Sequence, residues 1–180
     1  KGQHIFIEAI KELEAKYSPE NLPNFSYLIV GGNVVSYLRY IEHQIEKLEL
    51  KNVKIYHETR EVYDFFCLSD IFVCSSFEES FPRVILEAMA FELKIVSTNV
   101  FGIAEMIDNG VEGYLVEAGN PKALADGIYQ CLSEPKVAAR LASNAYVKVN
   151  RKFDLPAQLN RHFLLTKETV VSAGNKPKVD

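Results

Sequence analysis

The chain has 180 residues, the length of a single domain, and its hydrophobic content of 48% is ample for one core. Its 20 basic and 24 acidic residues leave a formal net charge of −4, which argues against a nucleic-acid partner and against a large basic membrane patch. No apolar run has the length of a membrane span, and no signal peptide is visible.

Three cysteines, Cys67, Cys74 and Cys131, lie in apolar runs. An odd number in such surroundings predicts buried thiols in a reducing, cytoplasmic compartment rather than a disulfide framework or a zinc site. The histidines are scattered, and no spacing of His, Cys or acidic residues resembles a metal site. We therefore expect neither a metal nor a cofactor. The first residue is Lys1 rather than Met, so we expect the chain to be a piece of a longer protein.

Periodic apolar residues, interrupted by Gly and Pro, predict helices that alternate with strands. Helices are predicted at 3–17, 34–50, 60–68, 82–92, 121–133, 135–150 and 154–170, with a short helical turn at 103–109. Strands are predicted at 25–32, 52–56, 70–76, 94–98 and 113–118. This alternation is typical of an α/β domain with a parallel sheet flanked by helices, here over residues 1–170, and the tail at 171–180 is expected to be disordered.

Ligands of such folds bind beyond the carboxyl ends of the strands. The candidate segments are therefore the loops at 31–33, 57–59, 75–81 and 99–105. The third of these loops leads into the helix at 82–92, which Phe81 or Pro82 is predicted to open because proline suits a first helical turn. The residues of this helix predicted to face inward are Val84, Leu86, Ala88, Met89 and Ala90.

Two acids, Glu79 and Glu87, flank the start of this helix with seven residues between them. Unpaired N–H groups and the positive end of the helix dipole suit an anion there, and a carboxylate can accept two hydroxyl donors. One ligand with a charged middle and hydroxyl-bearing ends could therefore touch both acids. The alternative is that the helix dipole merely favours Glu79 and that Glu87 is a solvated helical side chain.

A wider pattern surrounds the two acids. It runs Ser76…Glu79-x-Phe81…Glu87-Ala88-Met89-Ala90…Glu105. This pattern resembles the E-x7-E signature of the family 4 retaining glycosyltransferases. The resemblance covers roughly residues 1–150, and it implies the C-terminal, nucleotide-sugar-binding half of a two-domain GT-B enzyme, built on a Rossmann-like parallel sheet.

The resemblance implies catalytic roles for Glu79 and Lys1. Glu79 would lie near the donor sugar, and Lys1, which begins a Lys-Gly pair, would neutralise the departing nucleotide diphosphate. Glu87 would accept hydroxyls of the nucleotide ribose. The family's arginine partner of this lysine would lie upstream of Lys1.

Further donor-binding residues follow from the same resemblance: Gly31, Gly32, His57, Ser80, Phe81, Gly102 and Glu105. The two glycines after a strand would let the backbone approach a ligand, although a simple strand-ending turn explains them at least as well. Gly102 would permit a tight turn near the donor. Glu105 would orient that turn or touch the donor, or it would only begin a short helix.

The sequence also departs from the family pattern. Phe101, Pro82 and His57 stand where glycine is common, and Pro82 has no N–H to offer a sugar hydroxyl. His57 would then edge the pocket for the nucleotide base. These departures leave the predicted fold unchanged and leave the identity of the sugar and of the nucleotide open.

The resemblance places one more strand before the first helix, and in doubly wound sheets this strand is central. That strand does not occur in the sequence. Its neighbours would keep unpaired backbone groups, which is costly. We therefore expect the chain alone to be poorly stable, or another segment or subunit to fill the gap.

The resemblance implies a metal-independent transferase that moves a sugar from a nucleotide-diphosphate sugar to a glycan, lipid or small-sugar acceptor. An N-terminal domain would bind the acceptor, and the helix at 154–170 would pack back towards it. A peripheral position at the inner face of the membrane is one alternative for the whole protein. Two other functions stay open: a non-catalytic binding or scaffold domain, and a sugar-nucleotide epimerase, which the Glu-Ala-Met-Ala run disfavours.

Overall fold

The computed structural model describes residues 1–17, 25–31 and 34–153, and every element predicted within these ranges is present. The elements are α1 (Gln3–Lys16), β1 (Tyr27–Val30), α2 (Val35–Lys47), β2 (Val53–Tyr56), α3 (Val62–Leu68), β3 (Ile71–Cys74), α4 (Arg83–Ala90), β4 (Lys94–Thr98), α5 (Ile103–Met106), β5 (Tyr114–Val116), α6 (Pro121–Ser133) and α7 (Pro135–Lys152). Gly32, the predicted helix at 154–170 and the predicted tail at 171–180 lie outside the described residues.

All strand pairs in the described ranges are parallel, as predicted, but they form two part-sheets. β1 pairs with β2, and β3, β4 and β5 pair in that order. Within the described part of the chain, β1 and β3 each keep one edge without a strand partner. In a doubly wound order, a strand preceding α1 lies between these two. The break therefore falls at the position predicted to be vacant, and what fills it stays a prediction.

Helix packing, rather than strand pairing, joins the two part-sheets. The apolar stripe of α1 is buried, and it consists of Ile5, Ile7, Ala9, Ile10 and Leu13. α1 packs against α2 and α6, and the same core includes Ile29 of β1 and Val96 of β4. Because burying one Ile or Leu side chain contributes about 1.5–3 kcal/mol, this stripe is a main source of the domain's stability.

A second core lies around α4, and here the predicted inward face needs correction. The buried residues of α4 are Ile85, Ala88 and Met89. They are spaced i, i+3 and i+4, which places them on one stripe of the helix. Ala90 is exposed, so its prediction was wrong, while Val84 and Leu86 are only half-buried at the edge of this core. The prediction followed residue type and ignored the helical period.

Two smaller expectations also change. α4 begins at Arg83, and Pro82 precedes it as an extended N-cap residue with φ −73° and ψ 113° rather than opening its first turn. Cys74 and Cys131 are buried, as predicted, but Cys67 is exposed on α3, so the prediction of three buried thiols was wrong there. Burial raises the pKa of the Cys131 thiol to about 12, which keeps it protonated and unreactive.

An ionic cluster fastens the loop between α5 and β5 to α7. Lys148 Nζ lies 2.9 Å from Asp108 Oδ2 and 3.0 Å from Glu112 Oε2. The backbone N–H of Asp108 donates to Glu112 Oε2 at 2.8 Å. The amide of Asn144 on α7 donates to the carbonyl of Val111 at 2.9 Å. The buried Glu112 is therefore paired, as a charge in a low-dielectric site must be.

Amide hydrogen exchange tests the unpaired edge of β1. The N–H groups of Tyr27 and Gly31 donate to the carbonyls of Asn52 and Tyr56, so the alternation of a strand ladder turns the N–H groups of Leu28 and Val30 to the other edge. We expect these two amides to exchange faster than that of Ile29. They should become protected in any longer form that adds a strand there. Equal protection of all three in this chain would contradict a vacant edge.

The Lys148 cluster predicts a pH dependence of stability. The hydrogen bond from Lys148 and the positive charge of Lys148 hold the pKa of the Asp108 carboxyl below the usual 3.8. The contribution of Asp108 is therefore present above the unfolded-state pKa of about 3.9 and is lost as the pH falls through the lower folded-state pKa. Because this carboxylate is largely exposed, we expect Asp108→Asn to lower the free energy of unfolding by only roughly 0.2–1 kcal/mol.

Urea unfolding at about pH 7 and about pH 3 measures this effect, and the difference between wild type and Asp108→Asn should shrink at the lower pH. Glu78→Gln is the control, since it removes an exposed carboxylate from a different loop. An Asp108→Asn difference that stays constant with pH would argue against the ion pair.

Candidate functional site

The turn that follows β3, residues 75–82, is the centre of the candidate site. Ser75 and Ser76 are buried at its start, and Phe77 and Glu78 are exposed. The side chain of Glu79 is 12% exposed, so its carboxylate is mostly shielded but still reaches the surface. Among the predicted site residues, Glu79 has the densest set of polar contacts within the described ranges.

Lys1 and Ser76 both bind the Glu79 carboxylate. Lys1 Nζ donates to Oε1 at 2.5 Å, and Ser76 Oγ donates to the same oxygen at 2.9 Å. Burial raises the pKa of Glu79, but the hydrogen bonds from Lys1 and Ser76 outweigh it and hold the pKa below its usual value. The carboxylate is therefore ionised at neutral pH and can accept hydroxyl donors. Lys1 itself is 67% exposed, so its ammonium group can turn to another anion.

Gly2 brings Lys1 to this turn. Its backbone has φ +96°, and a Cβ atom on it would lie 2.0 Å from the carbonyl oxygen of Ser75. The hydroxyl of Ser75 donates to the carbonyl of Gly2 at 2.9 Å. Both the left-handed backbone and the lack of space require glycine here. The start of α1 is therefore fixed against the turn after β3.

Gly102 joins the turn after β4 to the same place. Its N–H donates to the carbonyl of Glu79 at 3.2 Å. A Cβ atom on it would lie 1.5 Å from the carbonyl oxygen of Ser80. Its φ is −63°, so glycine is required by the close approach and not by a left-handed backbone. The unusual backbone belongs instead to Phe101, which has φ +37° and a side chain that is 69% exposed.

Glu87 lies in the second turn of α4, beyond the buried Pro82 and the exposed Arg83. Its side chain is 25% exposed, and Arg83 Nη2 lies 3.9 Å from its Oε1. The N-cap residue of α4, Pro82, makes no side-chain hydrogen bond to the first N–H groups of the helix. These donors and the positive end of the helix lie directly after the Glu79 turn, where they favour negative charge on a ligand.

The remaining predicted residues lie around this centre. Ser80 and Phe81 are exposed on the Glu79 turn, and Glu105 is exposed in the first turn of α5. Gly31 has φ +87° and donates its N–H to Tyr56, directly before the exposed His57. The structure thus brings Lys1, Glu79, Ser80 and Gly102 into contact, and it brings Gly31 beside the end of β2, in the other part-sheet.

Four residues without a predicted role also build the candidate site: Gly2, Ser75, Ser76 and Thr98. Thr98 Oγ1 donates to the carbonyl of Ser76 at 2.6 Å, and it is buried at the end of β4. The sequence held one signal for them: small, hydroxyl-bearing residues replace apolar ones directly after β3 and at the end of β4. Their partners lie far away in the sequence, so the contacts themselves carried no local signal.

Within 1–17, 25–31 and 34–153, no group of three or more His, Cys, Asp or Glu side chains is arranged to hold a metal ion. In the same ranges, none of the helices combines the length and the apolar character that a membrane crossing needs.

Comparison with known proteins gives one family and several relatives. The family described as "Glycosyl transferases group 1" matches residues 1–148. The capsular polysaccharide biosynthesis glycosyltransferase CapM of Staphylococcus aureus is 26% identical over 153 residues, which are 85% of this chain and 39% of CapM. The D-inositol 3-phosphate glycosyltransferase of Corynebacterium urealyticum is 29% identical over 151 residues, 81% of this chain and 35% of that enzyme. The chain therefore spans less than half the length of these relatives.

Solved structures match this chain over one part of a longer protein or over a single domain. The crystal structure of Anabaena HepE in complex with UDP-glucose superposes with a TM-score of 0.81 at 28% identity, covering 94% of this chain and 45% of HepE. The C-terminal domain of the group 1 glycosyl transferase LpcC from Francisella tularensis superposes with a TM-score of 0.73 at 26% identity. That match covers 86% of this chain and 80% of the LpcC domain.

The close approach at Gly102 predicts a large effect of adding one methyl group. Gly102→Ala introduces no backbone strain, but it must displace the carbonyl of Ser80, so we expect a loss of about 3 kcal/mol in the free energy of unfolding. Gly110→Ala is the matched control, because Gly110 has φ +75°, but beyond its two chain neighbours no atom of the described residues lies within 4 Å of its Cβ position. It should cost only roughly 1–2 kcal/mol of backbone strain. Urea unfolding of both variants tests this, and a larger loss for Gly110→Ala would contradict the role of Gly102.

Proposed function

Since the chain belongs to the group 1 glycosyl transferases, we propose that it binds the donor for a retaining enzyme that transfers a sugar from a nucleotide-diphosphate sugar. The domain has the α/β fold of one half of a GT-B glycosyltransferase. The observation that carries the proposal is the contact of Lys1 with Glu79, which places a cation and a carboxylate together at the carboxyl ends of the strands. A donor of this kind has an anionic diphosphate and a sugar rich in hydroxyls, so it needs both.

Lys1 is proposed to bind the diphosphate. It immediately precedes α1, whose N-cap residue Gly2 makes no side-chain hydrogen bond to the first helical N–H groups. Unpaired N–H groups, the helix dipole and an exposed ammonium together form a ready anion site. The charge that builds up on the diphosphate as the sugar–phosphate bond breaks would be stabilised there, without a metal.

The two carboxylates are proposed to bind hydroxyl groups on either side of the diphosphate. Glu79 is adjacent to Lys1, so it would receive hydroxyls of the transferred sugar. Glu87 lies on α4, beyond the exposed residues Ser80 and Phe81, and would receive the ribose hydroxyls. The loops at Gly31 and His57 would border the base, since β1 and β2 end side by side.

The UDP-glucose and UDP complexes of HepE make uridine nucleotides the first donors to test. The acceptor is proposed to be a glycan, a lipid or a small sugar, bound by a further domain of the whole protein. The alternative is a binding domain without catalytic activity. In that case nucleotide diphosphates should fail to bind even to the whole protein.

Calorimetry with UDP, GDP and ADP tests the proposed donor site. We expect one nucleotide to bind, and we expect Lys1→Met to weaken that binding by roughly tenfold, because a charge-assisted contact to phosphate is lost. Glu87→Ala should weaken it as well, because the ribose hydroxyls lose their acceptor. The effect of Lys1→Met should decrease with added salt, since the ammonium is exposed.

Glu78→Ala is the control for these variants, because Glu78 is an exposed acid on the same turn. It should leave the affinity unchanged. If this chain alone binds no nucleotide, the same titrations are made on the whole protein. Failure there would reject the donor site and favour the non-catalytic domain.

A further inference from the structure

Buried hydroxyl groups are concentrated where β3 and β4 end. Ser75, Ser76, Ser97 and Thr98 make up four of the five buried polar or charged residues in the described ranges. A buried hydroxyl is costly unless it has a hydrogen-bond partner, so each of these groups needs a partner inside the protein. Only the partner of Ser76 is a predicted catalytic group.

The hydroxyl proton of Ser76 is committed to Glu79. Ser76 Oγ is 2.9 Å from Glu79 Oε1, and an ionised carboxylate can only accept. From the other side, Cys74 Sγ lies 3.7 Å from Ser76 Oγ and donates to it. With one proton and this incoming donor, the hydroxyl group has a single orientation.

Thr98 fixes the backbone from which this hydroxyl projects. Its Oγ1 donates to the carbonyl of Ser76 at 2.6 Å, and Thr98 is only 1% exposed. The end of β4 therefore holds the turn after β3 at the residue that binds the carboxylate. Ser76 is itself 4% exposed, so water does not compete for its hydroxyl.

We propose that Ser76 is a positioning residue that holds Glu79 Oε1 in place while Lys1 turns from Glu79 to the donor diphosphate. This inference rests on the proposed function, which makes Lys1 the ligand of the diphosphate and Glu79 the ligand of the sugar. The Lys1 side chain is exposed, whereas Ser76 is buried and oriented, so only the second contact persists when the donor binds. Neither contact uses Glu79 Oε2, which is left for the sugar hydroxyls.

The test compares UDP-glucose with UDP, because only the first carries a sugar. We expect Ser76→Ala in the whole protein to weaken UDP-glucose binding by roughly tenfold and to leave UDP binding within about twofold. Loss of the Ser76 hydrogen bond raises the pKa of Glu79. UDP-glucose binding should therefore be lost at a higher pH on acidification, while the pH profile for UDP stays the same.

Two further variants separate positioning from folding. Ser97→Ala removes another buried hydroxyl, whose contact is with the carbonyl of Thr98 at 3.4 Å, and it should change neither affinity nor pH profile. Ser76→Cys keeps a side chain of similar size with a weak donor, so it should fall between wild type and Ser76→Ala. Circular dichroism confirms that each variant is folded before titration.

The outcomes are distinct. An equal loss of UDP and UDP-glucose binding in Ser76→Ala, or an unchanged pH profile for UDP-glucose, would overturn the positioning role. If the wild-type protein binds neither ligand, the proposed function fails first. In that case an unchanged Glu79 pKa in Ser76→Ala, measured by carboxyl NMR on this chain, would reject the contact separately.

Discussion

The close approach of Gly2 to the carbonyl of Ser75 is the constraint on which the candidate site depends. It places the first turn of α1 against the turn after β3, two segments that are more than 70 residues apart in the chain. Lys1 reaches Glu79 because the backbone of the next residue, Gly2, is fixed there. A side chain at position 2 would push the helix away from the turn, and the cation with it.

The same principle operates on the other side of Glu79. Gly102 lets the turn after β4 touch the backbone of Ser80, and its N–H holds the carbonyl of Glu79. Three segments thus converge on Glu79: Lys1 and Ser76 bind its carboxylate, and the N–H of Gly102 binds its backbone carbonyl. Because both glycines let backbone segments meet directly, the rigid elements that carry these segments set the geometry around Glu79.

The domain divides into two part-sheets, and this division influences how the site is built. Lys1, Glu79 and Gly102 belong to the part formed by α1, β3 and β4, whereas Gly31 and His57 follow β1 and β2. The buried stripe of α1 contacts residues of both parts, so its packing sets the distance between the two halves. If Glu79 and His57 border the same donor, the site depends on helix packing as much as on the strands themselves.

The sequence by itself determined the order and type of the elements, because the apolar stripes of the helices, the short apolar runs of the strands and the Gly and Pro positions are local signals. It also placed Glu79, Glu87 and Gly102 in loops or helix starts at one edge of the sheet, since parallel strands share that edge. The predictions that Ala90 faces inward on α4 and that Cys67 is buried were wrong, because residue type alone does not show which side of a helix packs against the core. Only the tertiary structure decided that Ser76 binds Glu79, that Thr98 fixes Ser76, and that Gly2 and Gly102 are required by close contacts. Those contacts depend on how distant segments pack. The sequence shows where a glycine lies, but only the packed structure shows which backbone its lack of a Cβ atom lets approach.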